Sequence, residues 1–206
     1  MTIPRSNAKD VYEGAEDSTF LARGSAFSKS FVSAYPKSPR FVKCFLENIE
    51  GKSVYIPRYL RRLQPPPDVW YERPEGGKDN KKAIEQAARY VSLIPYKEDS
   101  ALFRDMPDLT CTSQEFLDLG AGDSEEHAML LCNYFNFIDR QQSRQGNACK
   151  VDGVDRDINS YIIYGEAVPD GEAWFVARRC RKGKECEIWN PMTGECYSFD
   201  RKEYKV

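Results

Sequence analysis

Apolar residues return every three or four positions in several stretches of the chain. In residues 81–94, Ile84, Ala87, Ala88, Val91 and Ile94 share one face, which predicts a helix stopped by Pro95. Residues 112–119 predict a second, short helix, with Thr112 and Glu115 at capping-box spacing. After a turn at Gly120-Ala121-Gly122-Asp123, the strongest helical pattern begins at Asp123 or Ser124 and carries Ala128, Leu131, Cys132, Phe135 and Ile138. Beyond a polar loop near residues 140–158 the texture changes. Residues 160–165, 173–178, 186–190 and 195–199 predict strands, separated by Pro169-Asp170-Gly171, Lys182-Gly183-Lys184 and Pro191-Met192-Thr193-Gly194. Helices followed by an antiparallel meander predict an α+β fold.

The N-terminal third reads differently. Residues 1–30 are rich in Ser, Gly, Lys and Asp and read as a flexible leader, with order expected from about Phe31. Residues 31–78 read as a linker or extended arm. Within it, residues 41–49 fit a strand or a short helix, and periodicity does not separate the two. Residues 53–60, interrupted by Pro57, fit an edge strand or an extended arm. Gln64-Pro65-Pro66-Pro67 is a stiff break favouring polyproline geometry. A second break over residues 74–80 ends in a helix N-cap at Asp79 or Asn80, so the domain proper is expected over residues 79–206. No internal repeat is visible.

Composition narrows the chemistry. The 206 residues carry 30 Lys+Arg against 32 Asp+Glu, a net charge of −2, and 41% are hydrophobic. That is enough for a core and gives no global attraction to nucleic acid. No run approaches the roughly 18 apolar residues of a membrane span, and residues 1–20 are polar and acidic, unlike a secretory signal. The 7 cysteines are odd in number and include no C-x-x-C pair, which reads as reduced thiols. Cys180, Cys186 and Cys196 lack the short spacing of zinc ligands, so neither a metal nor a cofactor is expected. The single histidine, His127, removes most chemistry built on paired imidazoles.

A glycine turn leading into a buried helix on an antiparallel sheet suits a cysteine nucleophile, because the helix N-terminus stabilises a thiolate. The base and its orienting partner would then come from the sheet. The segment from Gly122 to Ala128, with Ser124, Glu126 and His127 inside it, resembles the Gly-x-Cys-x-acidic-aromatic-Ala motif of transglutaminase-like domains, in the papain-like cysteine protease superfamily. Glu172-Ala173-Trp174-Phe175-Val176 resembles their His-Ala-Trp-Val strand, and Trp189-Asn190-Pro191-Met192-Thr193 their Asp-Pro-Thr strand end. More closely, residues 88–95, 112–119 and 122–135 resemble the coiled-coil and C2-domain-containing family of ciliary transition-zone proteins, whose C-terminal part holds such a domain. Residues 54–60 and Pro65-Pro66-Pro67 are similar to the stretch preceding it, so the resemblance covers about residues 41–200.

Carried across position by position, the resemblance places Ser124 at the nucleophile, Glu172 at the base and Asn190 at the orienting position. A serine needs a base to take its proton, and an ordinary carboxyl group, with a pKa near ~4.3, is a poor one. The resemblance therefore implies a pseudoenzyme: a degenerate transglutaminase-like domain, short at its C-terminal end, acting as a protein-interaction scaffold in ciliogenesis and cilium assembly. It implies a cytoplasmic place at the transition zone and basal body of the cilium, other transition-zone proteins as partners, and neither nucleic acid nor a transmembrane segment. The groove left by the lost triad is expected to involve Trp174, His127 and Trp189 and to bind an extended peptide. The alternative is an active hydrolase or acyltransferase using Ser124 with Glu172 or His127 as base. A weaker alternative is a cysteine enzyme using Cys132.

The bland readings sit beside these. His127 three residues after Ser124 is expected in the core or half-buried, and Cys132 on the core face. Glu125 and Glu126 are expected to serve the positive end of the helix dipole. Arg58, Arg61 and Arg62 with Tyr55 and Tyr59 read as a solvated arm. Arg178, Arg179, Arg181, Lys182 and Lys184 read as an exposed basic turn.

Overall fold

A computed structural model describes residues 16–36, 42–70, 80–103, 109–144, 150–151, 154–155, 158–167, 171–180 and 186–199. The chain divides into two compact units, residues 1–58 with 108–110, and residues 59–107 with 111–206.

In the first unit, helix α1 (Ser18–Ala34) is capped by Asp17, whose carboxylate accepts from Thr19 N–H at 3.0 Å. Strands β1 (Phe45–Asn48) and β2 (Ser53–Tyr55) form an antiparallel hairpin, followed by a 3₁₀ turn at Ile56–Arg58, and β3 (Leu109–Thr110) pairs parallel with β1. Residues 18–30, expected to be flexible, are thus helical. The reason is a small-residue stripe: Phe20, Gly24, Ser28 and Phe31 are half-buried at helical spacing, and only two of them are large and apolar. Phe20 stands edge-on to Phe45 and Tyr55 at 5.8 and 5.1 Å, and a Cβ on Gly24 would sit 2.1 Å from the Phe45 ring. Glu16 closes the unit by accepting from Tyr55 N–H at 3.1 Å and pairing with Arg58. Arg58 is therefore not part of a solvated arm.

The second unit begins at Tyr59, not at residue 79 as expected. It contains helices α2 (Asn80–Ser92), α3 (Asp99–Leu102), α4 (Ser113–Leu119) and α5 (Ser124–Arg144). A hairpin of β4 (Lys150–Val151) and β5 (Val154–Asp155) leads to an antiparallel sheet. That sheet runs in the order β6 (Ile158–Ala167), β7 (Gly171–Cys180), β8 (Cys186–Trp189), β9 (Cys196–Phe199). The class is α+β, with a helix packed on an antiparallel sheet. The Thr112–Glu115 capping box forms as its spacing requires, and Gly120 ends α4 in the left-handed conformation at φ 70°. The expected N-cap at Asp79, the turns at residues 168–170 and 181–185, and Cys149 lie outside the described residues.

Helix α5 is the centre of this unit. Ala128, Leu131, Cys132, Phe135 and Ile138 are fully buried, and so are the intervening Met129, Leu130 and Tyr134. The helix is enclosed on more than its apolar stripe, by α2, α4, the sheet and the arm over residues 59–70. In that arm Val69 and Trp70 enter the core, Trp70 edge-on to Phe137 at 6.1 Å, so the proline break is packed against the domain rather than linking to it.

The sheet is tied to α5 by an ion pair. Arg178 donates from Nε and Nη2 to Asp139 at 3.0 and 2.7 Å, and from Nη1 to Glu187 at 3.0 Å. Its side chain is 14% exposed and that of Asp139 is 4% exposed. Arg178 is therefore not part of an exposed turn: alternation along β7 turns it inward with Val176, and the guanidinium enters only because Asp139 waits there. Removing one partner leaves the other charged and buried. Arg178→Met is expected to cost about 3–5 kcal/mol in urea unfolding, and Asp139→Leu/Arg178→Met to recover more than half of that loss.

Candidate functional site

The start of α5 is built from a turn with no room to spare. A Cβ on Gly122 would lie 2.8 Å from the Phe116 ring and 3.2 Å from Glu126 Oε2, so the glycine of the motif is required by packing. Its N–H donates to Pro95 C=O and its C=O accepts from Lys97 N–H, which lashes the turn to the segment after α2. Asp123 caps the helix, accepting from Glu125 N–H at 2.8 Å, while Glu126 Oε2 accepts from Asp123 N–H at 3.1 Å. This is a reciprocal capping box. One N–H that would stabilise an anionic nucleophile is thereby already taken by a carboxylate.

Glu126 has a second role. Its Oε1 accepts from Cys111 N–H at 3.2 Å, holding the residues before α4 against α5. Glu125 and Glu126 are 1% and 2% exposed. Burial, then the neighbouring Asp123 charge, push the Glu126 carboxyl far above the ordinary carboxylate range, to about 10. Carboxylate oxygens of Asp99, Asp123 and Glu126 lie within 4.8 Å of one another, and a retained proton relieves that repulsion. Glu126, expected to serve the helix dipole, is thus also a buried bracket between two backbone N–H groups, in a setting that favours its protonated form.

His127 is fully buried. Its Nδ1 faces Asp123 C=O, its Nε2 faces Ile94 C=O at 3.0 Å, and its ring packs on Phe116 at 4.8 Å between centroids. Both nitrogens are occupied by backbone carbonyls, so the imidazole presents neither a lone pair to Ser124 nor a surface to a groove. Trp189, also expected at the groove, is 5% exposed, lies edge-on to Phe135 at 5.4 Å and donates from Nε1 to Glu187 at 3.3 Å. Both residues belong to the core. Only Trp174 keeps a partly open face, with Tyr164 stacked beside it at 4.6 Å.

The positions expected for a triad can be compared through two anchors between α5 and β7. Asp139 meets Arg178, and Phe135 meets Trp189, the cross-strand partner of Val176. Moving toward the start of α5 therefore moves toward the start of β7. Continuing at ~1.5 Å per helical residue and ~3.3 Å per strand residue brings Ser124 level with Glu172. Yet among the described residues no side-chain hydrogen bond joins Ser124, Glu172 and Asn190. Glu172 is exposed, and Ser124 is half-buried. The Asn190 carboxamide accepts from Met192 and Thr193 N–H, fixing the turn into β9 rather than orienting a base. Cys132 is fully buried, and burial pushes its thiol up to about 12, which removes it as a nucleophile.

Three polar residues of α5 escaped the sequence reading. Asn133 donates to Tyr59 C=O at 3.0 Å and to Ser113 Oγ at 2.8 Å. Asn136 brackets the backbone of Ser160, accepting at 3.0 Å and donating at 3.2 Å. Asp139 holds Arg178. Their signal was present: polar residues recurring at three-residue spacing inside an apolar helix need partners.

Residues 108–143, which carry α4 and most of α5, match the CEP76 peptidase-like domain family. The human (Homo sapiens) Protein CC2D2B is 28% identical over 184 residues, 87% of this chain and 11% of that protein. The chain thus spans about a tenth of its relative's length. Among the described residues no helix is long and apolar enough to cross a membrane.

The raised Glu126 carboxyl makes stability depend on pH. The folded state keeps a proton that the unfolded chain releases above the ordinary carboxylate range, so stability falls as pH rises, through to about pH 10. Urea unfolding between about pH 5 and pH 9 should show wild-type stability declining more steeply than that of Glu126→Gln, by up to ~1.4 kcal/mol per pH unit. Parallel slopes would mean that Glu126 is ionised in the folded state.

Proposed function

We propose that the chain is a catalytically inactive transglutaminase-like domain, of the kind carried by coiled-coil and C2-domain-containing proteins 2A and 2B, serving as a scaffold module in transition-zone assembly and ciliogenesis. The similarity to Protein CC2D2B and to the CEP76 peptidase-like domain supports the ciliary and peptidase-like parts of this reading. One observation carries the inactivity: the only histidine of the chain has both ring nitrogens against backbone carbonyls, and the base position is an exposed glutamate. Acyl transfer needs a base that removes a proton from the nucleophile as the bond forms. Ser124 has none in hydrogen-bond reach among the described residues. What the frame retains is a helix start, a sheet and the half-open Trp174 beside them, which suit an extended partner segment held without turnover.

The reading makes two linked expectations. The full chain should show no labelling by a fluorophosphonate serine probe, whereas labelling abolished by Ser124→Ala would establish the hydrolase alternative. In ciliated cells a tagged chain should concentrate between basal body and axoneme, and Trp174→Ala should weaken that enrichment without lowering the melting temperature. A uniform distribution of the unaltered chain would sink the scaffold role.

A further inference from the structure

We propose that the open edge of β6 and the arginine-lined groove beside it bind an extended acidic segment of a partner protein, which adds to the sheet as a further strand. The arginine end of this surface is separate from Ser124, Glu172 and Asn190, and its test uses none of them, so its failure and that of the scaffold reading are distinguishable.

β6 is 10 residues long and stands at the edge of its sheet, outside β7. Long exposed edges template the pairing of another chain unless they are covered. Asn136 covers one point, its carboxamide bonding both N–H and C=O of Ser160 as a neighbouring strand would. That bracket identifies Ser160 as outward-facing. Antiparallel alternation then turns the backbone groups of Ile162 and Glu166 outward as well, and no described strand pairs with them on that side. On the solvent face Tyr161 and Ile163 are 54% and 39% exposed, an apolar strip for alternate side chains of an added strand.

The chemistry of the occupant comes from the groove at the Ser160 end. It holds about 510 Å³ and is lined by Arg61, Arg62, Arg140, Asn136, Asp139 and Tyr161, among others. Arg62 and Arg140 are exposed and form no ion pair with a described carboxylate. The one carboxylate in the lining, Asp139, is already neutralised by its two hydrogen bonds from Arg178. Among the described residues the groove therefore keeps an uncompensated positive charge. At the far end of β6 the exposed Glu166 repels acid. The combination orients a peptide, with its acidic residues at the arginines and its neutral part along the edge. Phosphates of a lipid surface or a nucleic acid would also satisfy arginines, but only a polypeptide completes the hydrogen bonds of a strand edge.

The test uses the full chain and a short fluorescein-labelled peptide, a glutamate pair followed by alternating valine and threonine, read by fluorescence anisotropy. Binding should weaken at least about tenfold with Arg62→Glu/Arg140→Glu. It should also weaken when the glutamates become lysines, and vanish when alternate peptide amides are N-methylated. The variant pair should melt like the unaltered chain; if it does not, Arg62→Gln/Arg140→Gln and the N-methylated peptide on the unaltered chain decide the question instead. Undetectable binding, indifference to the arginines, or indifference to N-methylation would overturn the proposal. So would arginine-dependent binding of phosphatidylserine vesicles or of a single-stranded oligonucleotide without binding of the peptide.

Discussion

A helix buried on nearly all sides presses the polar groups it carries to find partners, and the second unit is arranged around the bonds they make. An unpaired buried polar group costs about 1–3 kcal/mol, which a domain of marginal stability does not tolerate repeatedly. Along α5, five polar residues meet five different neighbours. Glu126 takes the backbone of Cys111, His127 that of Ile94, and Asn133 that of Tyr59. Asn136 takes the backbone of Ser160, and Asp139 takes Arg178 of β7. Hydrophobic burial drives the helix inside without choosing the order of its neighbours. These pairings help to choose it, because each includes a bond to a particular segment distant along the chain.

The same requirement explains why the catalytic frame is occupied. A transglutaminase-like site would need the helix start to offer N–H groups to a thiolate and the sheet to offer an imidazole. Here Asp123 consumes an N–H at the helix start, Glu126 is a neutral bracket, and the imidazole packs under Phe116 between two carbonyls. The imidazole and the Asn190 carboxamide each make structural bonds.

Much of this was legible in the chain and some was not, for physical reasons. The helix centred on Leu131 and Phe135, the Thr112–Glu115 cap and the four-stranded meander follow from period and turn chemistry. The helix over Ser18–Ala34 was hidden because its contact face uses Gly24 and Ser28, whose small size permits close packing without an apolar signal. Arg178 was misread because three arginines near a turn look solvated, and only the partner from α5, distant in sequence, makes an inward guanidinium tolerable. His127 and Trp189 were placed in a groove by analogy of position. Position along a helix or strand does not reveal that Phe116 packs on His127 and Phe135 on Trp189. Residue identity at the triad positions was readable from sequence; the occupation of the imidazole was not.

The length of α5 also separates two tasks. Ser124 and Asp139 stand 15 residues apart by number, about 22 Å along the axis at ~1.5 Å per residue. The acidic cluster lies at one end, and the arginine groove lies at the other. Screening at physiological salt, with a Debye length near ~8 Å, keeps the exposed charges at the two ends nearly independent. A change at the catalytic end therefore need not perturb the field at the groove, provided the buried pairings between them hold. On the proposed reading, that independence lets the fold keep a binding surface whatever stands at the Ser124 end, since what the surface takes from α5 is Asn136 and Arg140, far along the helix from Ser124.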